Sequence, residues 1–299
     1  MTGSAPTLHL VATPIGNLGD LAPRAIEILG GAALVCCEDT RRTGRLLQHA
    51  GIRAERLAVC NEHTEVSRIA DVLDTLGGGR DVALVTDAGM PGISDPGERL
   101  VRATLDAGFR VSAVPGPVAA VMALVISGLP ASRYVFEGFI PRAGKARSSR
   151  LAEIAAELRT IVIYEAPHRV RRTVQDLAVA CGEDRLVVVA RELTKLYETV
   201  TRGTLGSIDV GDPRGEYVIV LAGRVDEAEM HDDDAIRAAL RTQLAAGATR
   251  RDAAAAVAEQ LGVPKRTAYA LATAMRGATT LAGTDSHNGG GSRHTEGSN

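Results

Sequence analysis

The sequence predicts an α/β protein of two domains followed by a small helical segment, and two observations predict it. Short runs rich in Val, Leu and Ile recur along the chain, each followed by a turn cluster and then a helical pattern, the signature of βαβ units around a largely parallel sheet. The 299 residues are 45% hydrophobic but only 3% aromatic, with no Trp. A core of that composition has to come from aliphatic strands and Ala-rich helices. The length suits about two domains at ~100–200 residues each.

The strands of the first domain are "LHLVAT" (8–13), "ALVCC" (33–37), "VALVT" (82–86) and "RVSAV" (110–114). Helical periodicity lies between them in "DLAPRAIEIL" (20–29), "EVSRIADVLDTL" (65–76) and "PGERLVRATLDA" (96–107). Asp95 reads as the N-cap of the last, with Pro96 at the first helical position and Glu98 three residues after the cap. Pro115 and Pro117 mark a boundary near 116, so the α/β part divides into 7–116 and 117–225. The second domain continues with "TIVIY" (160–164), "LVVVA" (186–190) and "EYVIVLAG" (216–223). Beyond the acidic stretch "DEAEMHDDD" (226–234), an Ala-rich helical domain spans 232–282, in which "GVPKRTAYALATAM" (262–275) reads as a turn into a basic helix. The Gly/Ser/Asn-rich stretch 283–299 has the composition of a disordered tail.

With 34 basic and 36 acidic residues the formal charge is −2, which argues neither for nor against a nucleic-acid partner. Distribution says more. Between 235 and 280, seven Lys or Arg face two acids, Asp252 and Glu259, and "RAGKARSSR" (142–150) carries Arg142, Lys145, Arg147 and Arg150. The four cysteines form no CxxC and no metal-ligand spacing; Cys36 and Cys37 sit in an apolar run and read as buried free thiols, which fits a reducing cytoplasm. A basic leader joined to an apolar stretch is lacking, and no apolar run reaches the ~20 residues of a membrane span. The expectation is no export and no membrane.

Ligands of open α/β sheets bind at the carboxyl ends of strands, and three unusual loops fall there: "TPIGNLGD" (13–20), "EDTRR" (38–42) and "TDAGMPGISDPG" (86–97). None is a GxGxxG or GxxxxGK[ST] loop, so dinucleotide and nucleoside-triphosphate readings lose their main support. Gly89 and Gly92 let the main chain approach a ligand while Pro91 stiffens the loop. Asp87 could accept hydrogen bonds from an amine or a ribose; the plainer alternative is that Asp87 and Asp95 only cap turns and helices. A further constellation, "YEAPHR" (164–169), offers Tyr164 to stack on a flat group, Glu165 to take a proton or bind a hydroxyl, and His168 and Arg169 to face an anion. "ARELTKLYET" (190–199) adds Arg191, Glu192 and Lys195, or else a solvated charged turn.

Together with "LVATPIGNLGDLAPRAIEIL", "CCEDTRRTGRLLQHAGI", "NEHTE", "VPGPVAAVMAL" and "FEGFIPR", these segments resemble the bacterial small-subunit rRNA cytidine 2′-O-methyltransferases of the tetrapyrrole-methylase superfamily. The resemblance runs from about residue 8 to 223 and into the helical tail. It implies two α/β domains holding S-adenosylmethionine in a cleft between them, a homodimer, no metal, and a product methylated on the ribose of a decoding-site cytidine of 16S rRNA within the small ribosomal subunit. By position it implies that Asp87, Ala88, Gly89, Pro91 and Ile93 cradle the donor, with Asp87 in the polar role. Pro14 and Gly16 would close the cleft, Ala119 and Ala120 would lie near the methionine end, and Tyr164 and Glu165 would line it from the second domain. Met90 and Ala166 depart from the Thr and Ser common at those places.

A ribose 2′-hydroxyl is a poor nucleophile, so a base or cation should help it; Glu165, Asp39 and Lys195 are the candidates in that order. Asp39 with Arg41 could equally be an ion pair that orders its loop. Arg142, Lys145, Arg147, Arg169, Arg250, Arg251, Lys265 and Arg266 are the candidate phosphate contacts, and low aromatic content argues against a base-stacking platform. Two other readings stay open here: a methylase of tetrapyrrole intermediates, needing a broad cleft for an anionic macrocycle, and a non-catalytic nucleic-acid-binding protein using 235–280 as a helix-turn-helix.

Overall fold

The computed structural model describes residues 5–225 and 233–275; the expected disordered tail at 283–299 lies outside the described residues. The chain divides into two compact units, 1–224 and 225–299. The first half of the larger unit alternates β1 (Thr7–Val11), α1 (Pro23–Gly31), β2 (Leu34–Cys37), α2 (Thr40–His49), β3 (Leu57–Val59), α3 (Glu65–Gly77), β4 (Val82–Leu84), α4 (Glu98–Asp106) and β5 (Arg110–Val114). Its strands form one parallel sheet in the order β3-β2-β4-β1-β5.

β2 and β4 are buried along their whole length, as strands covered on both faces must be. Alternation sorts their side chains. Leu34, Cys36, Val82 and Leu84 meet Val72, Leu76 and Leu100 of α3 and α4, whereas Val35, Cys37, Ala83 and Val85 meet Ala25, Leu29 and Leu47 of α1 and α2. Cys36 and Cys37 therefore point to opposite faces. Both are free and buried, and burial pushes the Cys36 thiol up to about 12.

The second half contains α5 (Ala119–Ser127), β6 (Tyr134–Phe139), α6 (Gly144–Ala156), β7 (Thr160–Glu165), α7 (Pro167–Cys181), β8 (Leu186–Arg191), β9 (Thr199–Thr204) and β10 (Tyr217–Leu221). Here the expectation of a largely parallel sheet fails. In the order β6-β7-β10-β8-β9 only β6 and β7 run parallel, while β10 lies antiparallel to β7 and β8, and β9 antiparallel to β8. A parallel pair needs a long crossover, usually a helix, and the chain from β8 through β9 to β10 contains none. Ile161, Ile163, Val187, Val189 and Ile219 pack toward α6 and α7; Val162, Val188 and Val220 pack toward α5.

α4 corrects a second expectation. It starts at Glu98 with Gly97 at the cap position, φ 141°, and Asp95 does not cap it. The loop before it closes on itself through the Gly92 N–H donating to Pro96 O at 3.2 Å. Capping comes instead from α3: Glu65, 5% exposed, accepts the N–H groups of Gly97 and Leu100 on one oxygen, each at 3.0 Å.

The smaller unit holds α8 (Asp233–Ala245), α9 (Arg250–Leu261) and α10 (Lys265–Ala274). It has its own core around Ile236, Leu240, Val257 and Ala268, and Thr249 caps α9 through the Asp252 N–H.

Replacing Glu65 leaves two buried helix-terminal N–H groups without an acceptor. Glu65→Ala is expected to cost about 2 kcal/mol, read as a lower urea midpoint at unchanged m. Glu65→Gln, whose amide oxygen still accepts, should lose less; equal losses would assign the effect to packing.

Candidate active site

The loops after β1, β2 and β4 emerge side by side, because β4 lies between β2 and β1 in the sheet. Two hydrogen bonds pin the first to the third: the Thr13 N–H donates to Gly89 O at 2.9 Å and the Gly89 N–H to Thr13 O at 3.1 Å. Gly89 has φ 89°, which L side chains avoid, so this backbone approach is glycine's contribution. Below the loops opens a cavity of about 360 Å³, lined among others by Ile15, Glu38, Arg42, Asp87, Met90, Ile93, Asp95, Val118, Phe139 and Val218.

Its walls are apolar and its polar groups mostly acidic. The Asp87 N–H donates to Glu38 at 3.0 Å, and Arg42 holds Asp87 Oδ2 at 3.1 Å. The other oxygen, Oδ1, is buried with no hydrogen-bond partner among the described residues, which is costly unless something supplies a donor. Burial also raises the Glu38 carboxyl. For Asp95, burial and then the neighbouring Glu38 charge push the carboxyl up to about 7.

From the second half, Tyr164 accepts the Ala120 N–H at 3.1 Å and meets Phe136 and Phe139 edge-on, with ring centroids 5.0 and 5.8 Å away. Tyr164 therefore fastens the start of α5, which sets Ala119 on the cavity wall; Ala120 is held behind it.

Of the sequence-predicted residues, Asp87, Ala88, Gly89, Ile93, Ala119, Tyr164 and Glu165 line this cavity. Others do not. Pro14 lines a neighbouring cavity, leaving Ile15 as the inward residue of its loop, and Pro91 is buried in its own loop. Exposed Gly16 is where the first loop meets the turn after β8: a Cβ there would fall 2.3 Å from Lys195 Cγ.

All three candidate bases are engaged in other contacts in this structure. Both Glu165 oxygens are engaged, one by the Ala166 N–H at 2.8 Å and Arg169 at 3.1 Å, the other by Thr173 at 2.6 Å, and the side chain is 0% exposed. It braces β7 against α7. Lys195 is held between Glu192 at 2.7 Å and Glu216 at 2.9 Å. Asp39 caps α2 through the Arg41 N–H, and the Arg41 guanidinium holds its carboxyl down at about 2, too weak a base for a hydroxyl proton.

Two candidate phosphate contacts are also withdrawn. Arg147 is buried, donating to Asp176 at 2.6 Å, Thr173 at 3.1 Å and Pro141 O at 3.0 Å. Arg169 spends its donors on Glu165 and Ile140 O. Arg142, Lys145, Arg250, Arg251, Lys265 and Arg266 are exposed. Sequence reasoning missed Glu38 and Arg42, although both lie in the EDTRR loop it singled out.

Asp95 links the site to stability. A carboxyl raised from 3.8 to about 7 keeps its proton in the folded protein where the unfolded chain has released it, so its contribution to stability falls as pH rises from about 4 through about 7. Asp95→Asn should therefore gain stability over the parent as pH increases from about 5 to about 8, measured as melting temperature; a difference that stays flat with pH would refute the raised carboxyl.

The model of the tetrapyrrole (corrin/porphyrin) methylases matches residues 7–209. A protein of Xylella fastidiosa (strain Temecula1) named ribosomal RNA small subunit methyltransferase I is 46% identical over 88% of this chain and 97% of its own. Proteins of the same name from Synechocystis and Escherichia coli O157:H7 are 44% and 42% identical over 88% and 90% of this chain and 96% of their own. Among solved structures, the methyltransferase CobJ covers 74% of this chain and 95% of its own at TM-score 0.57 and 19% identity. The Thermus thermophilus uroporphyrin-III C-methyltransferase complexed with S-adenyl homocysteine covers 73% and 97% at TM-score 0.50 and 17% identity. At such identities the structures establish the fold. The chain is a methyltransferase of the tetrapyrrole methylase family, and belongs among its relatives named ribosomal RNA small subunit methyltransferase I.

Proposed function

We propose that this chain transfers a methyl group from S-adenosylmethionine to the 2′-hydroxyl of a decoding-site cytidine, C1402, of 16S rRNA in the small ribosomal subunit. The observation that carries the donor assignment is Asp87 on the wall of an apolar cavity with one carboxylate oxygen, Oδ1, buried and without a hydrogen-bond partner among the described residues. The donor brings a cationic sulfonium, a cationic amino group and ribose hydroxyls, all of which suit carboxylates; its apolar parts suit Ile15, Met90, Ile93 and Val218. A cavity of about 360 Å³ is of ligand-binding size. The names of the relatives support the rRNA assignment. An anionic macrocycle would meet Glu38, Asp87 and Asp95, which weighs against a tetrapyrrole acceptor, and a non-catalytic nucleic-acid-binding protein would have no use for this cavity.

Bound in the cavity, the donor supplies an activated methyl group. As the bond from the 2′-oxygen to the methyl carbon forms, the carbon–sulfur bond breaks and its electron pair stays on sulfur; the hydroxyl proton must leave. The chain's part is alignment, for which several kcal/mol of barrier lowering is available out of the ~7–11 that ideal proximity can supply. Asp87 fixes the ribose or amino end, and the pinned Thr13–Gly89 loops fix the cavity's edge. Asp95, at about 7, is the cavity carboxyl able to exchange a proton near neutrality.

In this reading 7–116 and 117–225 are the two halves of the donor site, and 232–282 contributes basic contacts to RNA through Arg250, Arg251, Lys265 and Arg266, beside Arg142 and Lys145 on the larger unit. A homodimer is part of the same reading; exposed Val121 and Val125 on α5 offer apolar surface for it. A cytoplasmic location follows from the ribosomal substrate.

Purified protein incubated with methyl-labelled S-adenosylmethionine and small subunits lacking the modification should place label on the ribose of one decoding-site cytidine. Asp87→Ala should weaken donor binding about 10–100-fold, as expected for a charge-assisted hydrogen bond, by calorimetry. Donor binding without label in the rRNA would overturn the acceptor; undiminished binding by the variant would overturn the donor site.

A further inference from the structure

Arg42 and Asp87 line the donor cavity and also a second one of about 230 Å³, which is completed by Thr13, Pro14, Leu18, Arg45 and Thr86 among others. The 3.1 Å ion pair between them is thus the partition between two spaces. A third space of about 560 Å³ shares Glu38, Ser94 and Asp95 with the donor cavity and no lining residue with the second.

The two neighbours differ in charge. The third space carries Glu38, Glu62, Glu65, Asp95 and Glu98 against Arg99 and His63. The second carries Arg42 and Arg45 against Asp87 alone. Around the donor cavity itself Arg42 is the one cation among the described lining residues. A phosphodiester strand, with one negative charge per nucleotide, is repelled from the acidic walls and finds compensating charge on the Arg42–Arg45 side only.

We propose that this second cavity receives a backbone phosphate of the acceptor RNA, held by Arg42 and Arg45, and that this brings the adjoining ribose to the edge of the donor cavity, beside the Arg42–Asp87 pair and in open reach of the donor. The inference rests on the rRNA methyltransferase reading above. Arg45 is exposed, and among the described residues no hydrogen bond or ion pair engages its guanidinium, so its donors are available. Arg42 is different: its grip on Asp87 fixes where its remaining N–H groups point. Guanidinium suits the role because its planar fork can serve a carboxylate and a phosphate at once. Arg45 is then a binding residue and Arg42 a positioning residue that couples phosphate placement to the donor site.

The test uses the full chain and small subunits lacking the modification, with Arg45→Gln, Arg42→Gln, the conservative Arg45→Lys, and Arg99→Gln on the acidic side. Arg45→Gln should raise KM for subunits about 5–20-fold and lower the salt slope of subunit binding by ~0.7–0.9, the loss of about one phosphate contact. Its donor affinity, measured by calorimetry, should stay unchanged, and Arg45→Lys should recover most of the binding. Arg42→Gln should lower kcat as well as raise KM, since it loosens the partition. Arg99→Gln should match the parent. If both Arg42 and Arg45 variants keep the parental KM and salt slope while the parent methylates subunits normally, the phosphate site is wrong and the function stands. If the parent binds donor but neither binds nor methylates subunits, the reading beneath it fails and the phosphate site falls with it.

Discussion

The site depends on the paired backbone hydrogen bonds between Thr13 and Gly89. They join the ends of two neighbouring parallel strands beyond the sheet itself, in a place where loops would otherwise be free to move. The joining needs a residue at φ 89° that can bring its main chain against another, and glycine meets that need without strain. Everything on the cavity's first-half wall hangs from it. Ile15 is turned inward, Asp87 and Ala88 are carried to the rim, and the following loop closes back through Gly92 and Pro96 to leave Asp95 facing the same space.

Around that frame, polar groups fall into two kinds. Those of the second half are mutually satisfied: Glu165 with Arg169 and Thr173, Thr173 in turn with Arg147, and Arg147 with Asp176. Such a closed network specifies one arrangement of β7, α6 and α7, and removing one partner from it would leave another stranded. The acids of the first half are left short. Asp87 has an idle oxygen, and Asp95 is raised toward neutrality by burial and by Glu38. A protein tolerates that cost where a ligand removes it.

The sequence made the parallel sheet legible, because strands buried on both faces show as unbroken apolar runs, as LVCC of β2 and VAL of β4 do. It also pointed to the three loops, since glycines and prolines clustered after such runs mean an unusual turn. Strand direction in the second half was not legible: period-2 alternation is the same for parallel and antiparallel strands, so β10 looks like any other, and β9, TVTRGT, is too polar to stand out as a strand at all. Nor could the sequence tell a working carboxylate from a structural one. Glu165 follows the TIVIY run as invitingly as Asp87 follows its own, yet Arg169 and Thr173, one and two helical turns on, consume it. Arg147 sits in a run of basic residues and still points inward, because Asp176 lies 29 positions on in sequence and only the packing of α6 on α7 brings it near.

An acidic cavity in an enzyme acting on RNA poses a physical problem, since the features that attract a sulfonium repel a phosphate. Screening does not remove it: at about 0.15 M salt the Debye length is about 8 Å, comparable to the span of a nucleotide. Segregation is the remaining solution, and the proposed function uses it: carboxylates on the walls assigned to the donor, and Arg42 and Arg45 on the side assigned to the acceptor. α2 supplies the means. It begins at the carboxyl end of β2, so its first two turns stand at the rim, and its sequence TRRTGRLLQH buries Thr43 and Leu47 while placing Arg42 and Arg45 outward on the cavity side. One ion pair, Arg42 with Asp87, then marks the boundary between the two charge regimes. In the proposed function it is made by the same carboxylate that addresses the donor, so the placement of the acceptor is tied to that of the donor. That is the coupling an in-line displacement needs, since the attacking oxygen and the departing sulfur must be aligned across a single carbon.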